Sequence, residues 1–165
     1  MTTQYKIEVT GLRQVYDALN EVDKSAVRLI TKKIGMAAKN VATAASYIAP
    51  SDNPLRNWGG WNAKGRDLSY DGAAVSSGFK PRRSNYRKRG VSRGVGWDVV
   101  QGNAAGAIFE LVGSGGGQFV DSIASKFPGK RPRSLIPAYY QGMPDGLDES
   151  IREEILAAAR KAGLV

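Results

Sequence analysis

Val27, Ile30, Ile34, Ala37, Val41, Ala45 and Ile48 recur along Asp23 to Pro50 at 3.6 residues per turn, so a helix over this stretch carries all seven on one face. The opposite face carries Arg28, Lys32, Lys39 and Ser46. At 1.5 Å per residue such a helix is about 40 Å long, more than one small core needs, which predicts something else packed along it. Asp23 is placed as its N-cap, and Pro50 ends it by disfavouring helical geometry at Ala49. Gly35 falls on the polar face at a cost of about 1 kcal/mol relative to alanine. It is either a tolerated glycine or the point where a neighbouring chain comes close.

Upstream, Tyr5, Ile7 and Val9 alternate with Lys6 and Glu8, the period of a half-buried strand, and Thr10-Gly11 ends it. Leu12, Val15, Leu19 and Val22 then take helical spacing, but their stripe is rotated by roughly 80° from that of the long helix, which predicts a break near Val22-Asp23. Downstream, periodicity disappears from Ser51 to Gly94, a segment rich in Gly, Ser, Asn, Pro and Arg. Such a length without pattern reads as a long basic loop or arm, or a segment ordered by partners, with a short hairpin inside it left open. Gly96 to Gln101 and Ala104 to Val112 both read as strands, joined as a hairpin by Gly102-Asn103. Gly113 to Gly117 is a flexible connector, Phe119 to Phe127 a short helix, and Pro128 to Pro137 an extended segment.

Leu147, Ile151, Ile155, Ala158 and Ala162 form the stripe of a closing amphipathic helix stopped by Gly163. Asp148, Glu149 and Glu153 at its start and Arg160 and Lys161 at its end complement the helix dipole. The pattern predicts one α+β domain over residues 1–165. A small antiparallel sheet, from the first strand and the hairpin, packs against one long N-terminal helix and a C-terminal amphipathic helix, with a long basic loop over 51–94.

Composition changes this picture in two ways. Of 165 residues, 24 are Lys or Arg and 15 Asp or Glu, a net charge of +9 that predicts affinity for a polyanion or an acidic protein surface. Cysteine and histidine are both absent, which removes disulfides, thiolate nucleophiles, Cys/His zinc sites and every Ser-His-Asp or Cys-His arrangement. A cysteine-free chain fits a reducing compartment. MTTQYKIEV lacks a charged-then-apolar signal pattern and no stretch approaches about 20 apolar residues, so the chain is expected to be soluble when made.

Candidate chemistry is sparse. Neither GSGGGQ nor GKRPRS has the strand, glycine loop and helix order of a phosphate cradle. Asp67, Asp71, Asp98 and Glu110 are scattered and lack the spacing of a calcium loop. No enzymatic activity, cofactor or metal is expected. The basic run is the stronger signal: Lys80, Arg82, Arg83, Arg87, Lys88, Arg89 and Arg93 gather around Tyr86, with no acidic residue between Asp71 and Asp98. Such a run neutralises phosphates and stacks on bases without reading sequence, or docks on an acidic partner, and both readings stand. Trp58 and Trp61 in NWGGW are interface anchors, with packing onto their own helix as the alternative.

Several landmarks fall in a distinctive order. A strand ending in VTGL, Val9 to Leu12, leads into the alanine-rich helix closed by Ala49-Pro50. An aromatic-Glu-x-x-Gly strand follows (Phe109, Glu110, Gly113), then Arg131-Pro132-Arg133-Ser134-Leu135-Ile136-Pro137-Ala138 and the final helix. Outside Ser51 to Gly94, this order resembles the tail-completion or head-tail joining (neck) proteins of long-tailed bacteriophages. The resemblance implies a structural virion protein without catalytic activity or cofactor, present in the virion neck or tail and in the host cytoplasm during assembly. It implies a homo-oligomeric ring that meets neighbouring neck or tail-tube proteins and makes non-specific contact with passing DNA. Candidate subunit-interface residues are then Trp58, Trp61, Arg28, Lys32, Gly35, Lys39, Glu110, Arg131 and Arg133. The alternative is a non-specific nucleic-acid-binding protein that uses the arm from Lys80 to Arg93.

Overall fold

Helix α1, Lys24–Ile48, is the spine against which two strands of the sheet and the two C-terminal helices pack. The computed structural model describes residues 3–7, 23–55, 58, 62–63, 66–88, 91–112, 118–129 and 131–163. Asp23 caps α1 as its sequence predicts, its carboxylate accepting from the Ser25 amide at 2.8 Å, from Ala26 and from the Ser25 hydroxyl. These bonds, with Lys161 at 3.2 Å, hold the Asp23 carboxyl well below its usual range. Its contribution to stability is therefore present above the ordinary carboxylate pKa and is lost as pH falls below it.

The length of α1 is divided between two clusters. Its first half packs Val27, Ile30 and Ile34 against Ile151 and Ala158 of the last helix, α6 (Leu147–Lys161). Its second half packs Ala38, Val41, Ala42 and Ala45 into the main core with helix α5 (Leu135–Gly142) and the sheet. Small alanine side chains let α5 approach closely: a Cβ on Gly142 would lie 2.7 Å from the Val41 Cα. So the excess length of α1 serves two packing partners within one chain.

The sheet is antiparallel, ordered β1 (Thr3–Ile7), β5 (Val91–Gln101), β4 (Phe79–Lys88). On one edge of β5, Thr3 pairs with Gln101 and Ile7 with Trp97; on the other, pairing runs from Phe79↔Gln101 to Lys88↔Val91 with an irregularity between Tyr86 and Lys88. The α+β class with a small antiparallel sheet on the long helix and the C-terminal helices is as the pattern predicts. The hairpin is not. Its strands are β4 and β5, so the segment 51–94 is not a loop throughout: it also holds short strands β2 (Asn62–Ala63) and β3 (Arg66–Asp67) and helix α2 (Gly72–Ser77). In FKPRRSNYRK nearly every position is polar or charged, so β4 carries no alternation to see. As an edge strand it also tolerates Pro81, which has no N–H to donate.

Residues 104–112, expected as the second hairpin strand, instead form helix α3 (Ala104–Leu111). Asn103 is its N-cap, accepting from the Gly106 amide at 2.9 Å, rather than a hairpin turn residue. The helix is buried on most sides, so its sequence shows no polar face and passes for a buried strand. The expected extended segment 128–137 also ends early, since α5 begins at Leu135; Pro137 lies in its first turn, where its missing N–H breaks no helical bond. Helix α4 (Gln118–Lys126) and α6 with its Gly163 stop at φ 70° follow the pattern. The strand expected over 5–9 is found at Thr3–Ile7. Leu12 to Val22, the break before Asp23 and the 113–117 connector lie outside the described residues.

Gly35 acquires a physical role here. A Cβ at this position would stand 2.8 Å from Cζ2 of Trp97, whose ring lies over the helix from β5 and touches both core clusters. The close approach is made by the chain's own sheet, which corrects its assignment to a subunit interface. Gly35→Ala is expected to lower the unfolding free energy in urea by about 1–2 kcal/mol, because displacing a packed indole outweighs the helix-propensity gain of about 1 kcal/mol. An increase in stability would show that Trp97 does not press on the helix.

Candidate functional site

The basic run is carried by the β4–β5 ribbon. Lys80, Arg82 and Arg83 are exposed on β4. Arg82 faces Asp98 across the ladder, its guanidinium 3.7 Å from a carboxylate that is fully buried. Lys6 is the register partner of Asp98 on the other side, so this buried acid is bracketed by basic positions on both neighbouring strands. Arg82 thus serves the fold as well as the surface, because a buried carboxylate left without a cation is costly. Arg87 and Lys88 continue along β4 and Arg93 lies on β5, their side chains outside the description; Arg89 lies outside the described residues.

A second surface is the outer face of α1. Arg28, Lys32 and Lys39 are exposed there, as their positions opposite the apolar stripe predict. Leu29, Met36 and Tyr47 share that side of the helix and remain 40%, 57% and 85% exposed. These three were not among the sequence candidates. Their signal is that they are the large apolar residues of the helix lying off its core stripe.

Trp58 does not belong to any surface, which corrects its assignment as an interface anchor. It is 1% exposed, donates from Nε1 to the Leu68 carbonyl at 2.8 Å, and packs on Tyr70 and edge-on to Phe119 at 5.2 and 4.9 Å between ring centroids. The row continues from Tyr70 to Phe109 and Phe127. Tyr70 donates to the Pro50 carbonyl at 2.8 Å; burial, with Glu110 nearby, pushes its hydroxyl well above 10.0. Trp61 lies outside the described residues.

Glu110 is likewise internal, not an interface residue. Fully buried on α3, its carboxylate accepts from the amides of Ser134 at 3.0 Å and Leu135 at 3.3 Å, so it anchors the start of α5 where backbone N–H groups lack helical partners. Burial raises its carboxyl above the ordinary value, offset in part by these amides and by Arg133. Arg133 is half-buried over the Phe109 ring and donates to the carbonyls of Phe109 at 2.5 Å and Phe127 at 3.2 Å. Burial, with the charge of Arg131, lowers its guanidinium from the ordinary value. Its hydrogen bonds tie the ends of α3 and α4 together, which corrects its interface role; Arg131 is exposed. The motif Arg131 to Ala138 is thus chiefly a structural clasp for α5.

Beside this clasp lies an open cleft of about 540 Å³ lined by Ile48, Pro50, Phe109, Phe127, Ile136 and Tyr140, with Lys126 and Arg133 among its walls. Lys126 is engaged with the Pro54 carbonyl at 2.8 Å. Among the described residues no three acidic side chains come together in a way that could hold a metal ion. The described geometry offers two exposed surfaces, the cationic residues of β4 and an apolar-cationic helix face. Comparison with known protein families, characterised proteins and solved structures returns no match to this chain.

Proposed function

We propose that this chain is a structural, non-catalytic virion subunit of a long-tailed bacteriophage, a head-tail joining or tail-completion protein that assembles as a ring in the neck. The observation that carries this reading is the ribbon. It carries the exposed Lys80, Arg82 and Arg83, and β4 and β5 stay paired as far as Lys88↔Val91. Beyond the Arg83↔Trp97 pair that is about 17 Å of further strand at 3.4 Å per residue. A basic arm of this length suits a subunit that meets adjacent rings and borders a bore through which DNA passes, where contact must not depend on sequence. The order of landmarks from VTGL to the last helix supports the same reading, except that Phe109 and Glu110 lie on helix α3 and not on the strand the resemblance implies. Such a subunit works in the virion neck or tail after assembly in the host cytoplasm; no helix among the described residues is long and apolar enough to cross a membrane. Labelling the protein in purified particles tests the reading: label at the head-tail junction supports it, and label absent from particles contradicts it.

The exposed Lys80, Arg82 and Arg83 favour a second reading, a non-specific nucleic-acid-binding protein. Titration of DNA against salt separates the two. For a neck subunit, binding by the isolated protein is expected to be weaker than about 1 µM at physiological salt, within the non-specific range. Sub-micromolar binding whose log-log salt slope of about −0.9 per phosphate reports several contacts, lost in a Lys80→Ala, Arg83→Ala, Arg87→Ala variant, would favour the second reading. Arg82 is left in place because it neutralises Asp98.

A further inference from the structure

Along α1, Leu29, Met36 and Tyr47 lie within about 20° of one another at 100° per residue, a stripe about 27 Å long. Arg28, Lys32 and Lys39 line one side of it. Among the described residues none of these three cations enters an ion pair. An exposed apolar stripe edged by free charge marks an interaction surface. Two copies of this face cannot readily pair with each other, because Arg28, Lys32 and Lys39 would meet their own equivalents. The partner surface must be acidic around an apolar centre.

The chain carries an acidic surface itself in the first turns of α6, with Arg152 exposed within it and Arg160 exposed one turn beyond Leu156. Asp145, Asp148, Glu149, Glu153 and Glu154 are five of its 15 acidic residues, gathered at the start of α6. Glu154 is engaged with Lys33 at 2.8 Å, inside the contact between α1 and α6. Glu149 and Glu153 are exposed, enter no ion pair among the described residues, and share the outward side of α6 with Leu156, which is 39% exposed. Glu149 and Glu153 are one helical turn apart, as are Arg28 and Lys32; Leu156 follows the acidic pair by three positions and Met36 the basic pair by four, while Leu29 lies between Arg28 and Lys32.

We propose that the outward face of α6 in one copy docks on the outer face of α1 in the next, with Glu149 and Glu153 on Arg28 and Lys32 and with Leu156 against Leu29 and Met36. The two faces differ, so the contact is head-to-tail and repeats until it closes into a ring or continues as a filament. The inference rests on the ring reading above and names the surfaces that would build it.

The absence of cysteine makes cross-linking a direct test. Chains carrying Met36→Cys and chains carrying Leu156→Cys are oxidised separately and mixed, both as free protein at millimolar concentration and within particles that contain it. Covalent dimers are expected in the mixture at least tenfold above either variant alone. Adding Arg28→Glu and Lys32→Glu to the Met36→Cys chain abolishes them, and adding Glu149→Lys and Glu153→Lys to its Leu156→Cys partner restores them. Cross-linking of Met36→Cys with itself to the same extent overturns the proposal. So does an internal disulfide between Val15→Cys and Met36→Cys, which would mean that the chain's own Leu12 to Val22 segment covers the face. Absence of the cross-link from both free protein and particles overturns the contact while leaving the neck reading in place; absence of the protein from particles overturns the neck reading, and the free-protein result still decides the contact.

Discussion

Trp58→Ala is expected to lower the unfolding free energy by about 3–5 kcal/mol, the range for removing a fully packed large aromatic side chain. The indole is 1% exposed and links the 51–70 segment to α4 through its contacts with Tyr70 and Phe119. Its backbone is held as well, with its amide on the Leu55 carbonyl and its own carbonyl accepting from Tyr70. Removing the ring also leaves the Leu68 carbonyl without its Nε1 donor, which adds a buried unsatisfied acceptor to the cavity. Since a domain of this size is stable by about 5–15 kcal/mol, the loss takes a large share of the total. Trp58→Phe is expected to fall between the two, keeping most of the packing and losing the hydrogen bond. Urea denaturation followed by far-UV circular dichroism measures both. An alanine variant of undiminished stability would return Trp58 to the surface.

Glu110 supplies the second large effect. Glu110→Ala is expected to cost about 2–4 kcal/mol, because the amides of Ser134 and Leu135 are left buried without an acceptor at the start of α5. Glu110→Gln keeps one acceptor oxygen there and is expected to cost less. The two variants differ further in their pH dependence. Burial raises the folded carboxyl above its ordinary 4.5, so the folded chain retains a proton that the unfolded chain releases. The contribution of Glu110 is therefore most favourable below about 4.5 and declines as pH rises through the raised folded value. Asp23 acts in the opposite sense and only in more acidic solution. Denaturation midpoints measured across this window should fall with pH in the parent chain and flatten in Glu110→Gln; an unchanged slope would mean that Glu110 is not the group responsible.

These two residues mark where the sequence could and could not be read. Asp23, the apolar stripe of α1 and the stripe of α6 were legible because each is a local pattern: a capping carboxylate or a 3.6-residue period determined by a single helix. Trp58 and Glu110 were not, because burial of either depends on elements distant in the chain, α4 for the indole and the start of α5 for the carboxylate. Gly35 is similar: its reason is Trp97, 62 positions away, and no local property of the helix reveals it. The strand β4 fails for a different cause. Its partner β5 holds it through backbone pairing, and a charged edge strand needs no apolar alternation. Helix α3 shows the complementary error, since an element buried on most sides loses the polar face that distinguishes a helix from a buried strand. For the surfaces, Lys80, Arg82, Arg83, Arg28, Lys32 and Lys39 were legible as exposed charge. The accompanying Leu29, Met36 and Tyr47 become meaningful only once the core face of α1 is fixed.

The fold uses Trp58, Tyr70, Phe109 and its buried glutamate to hold the body together, and Lys80, Arg82 and Arg83 and the outer faces of α1 and α6 are exposed. That division agrees with a protein whose work is assembly. Electron microscopy of particles produced without it is the most direct test. The account predicts DNA-filled heads and separately completed tails that fail to join, restored when the chain is supplied in trans; intact infectious particles formed in its absence would contradict the neck assignment.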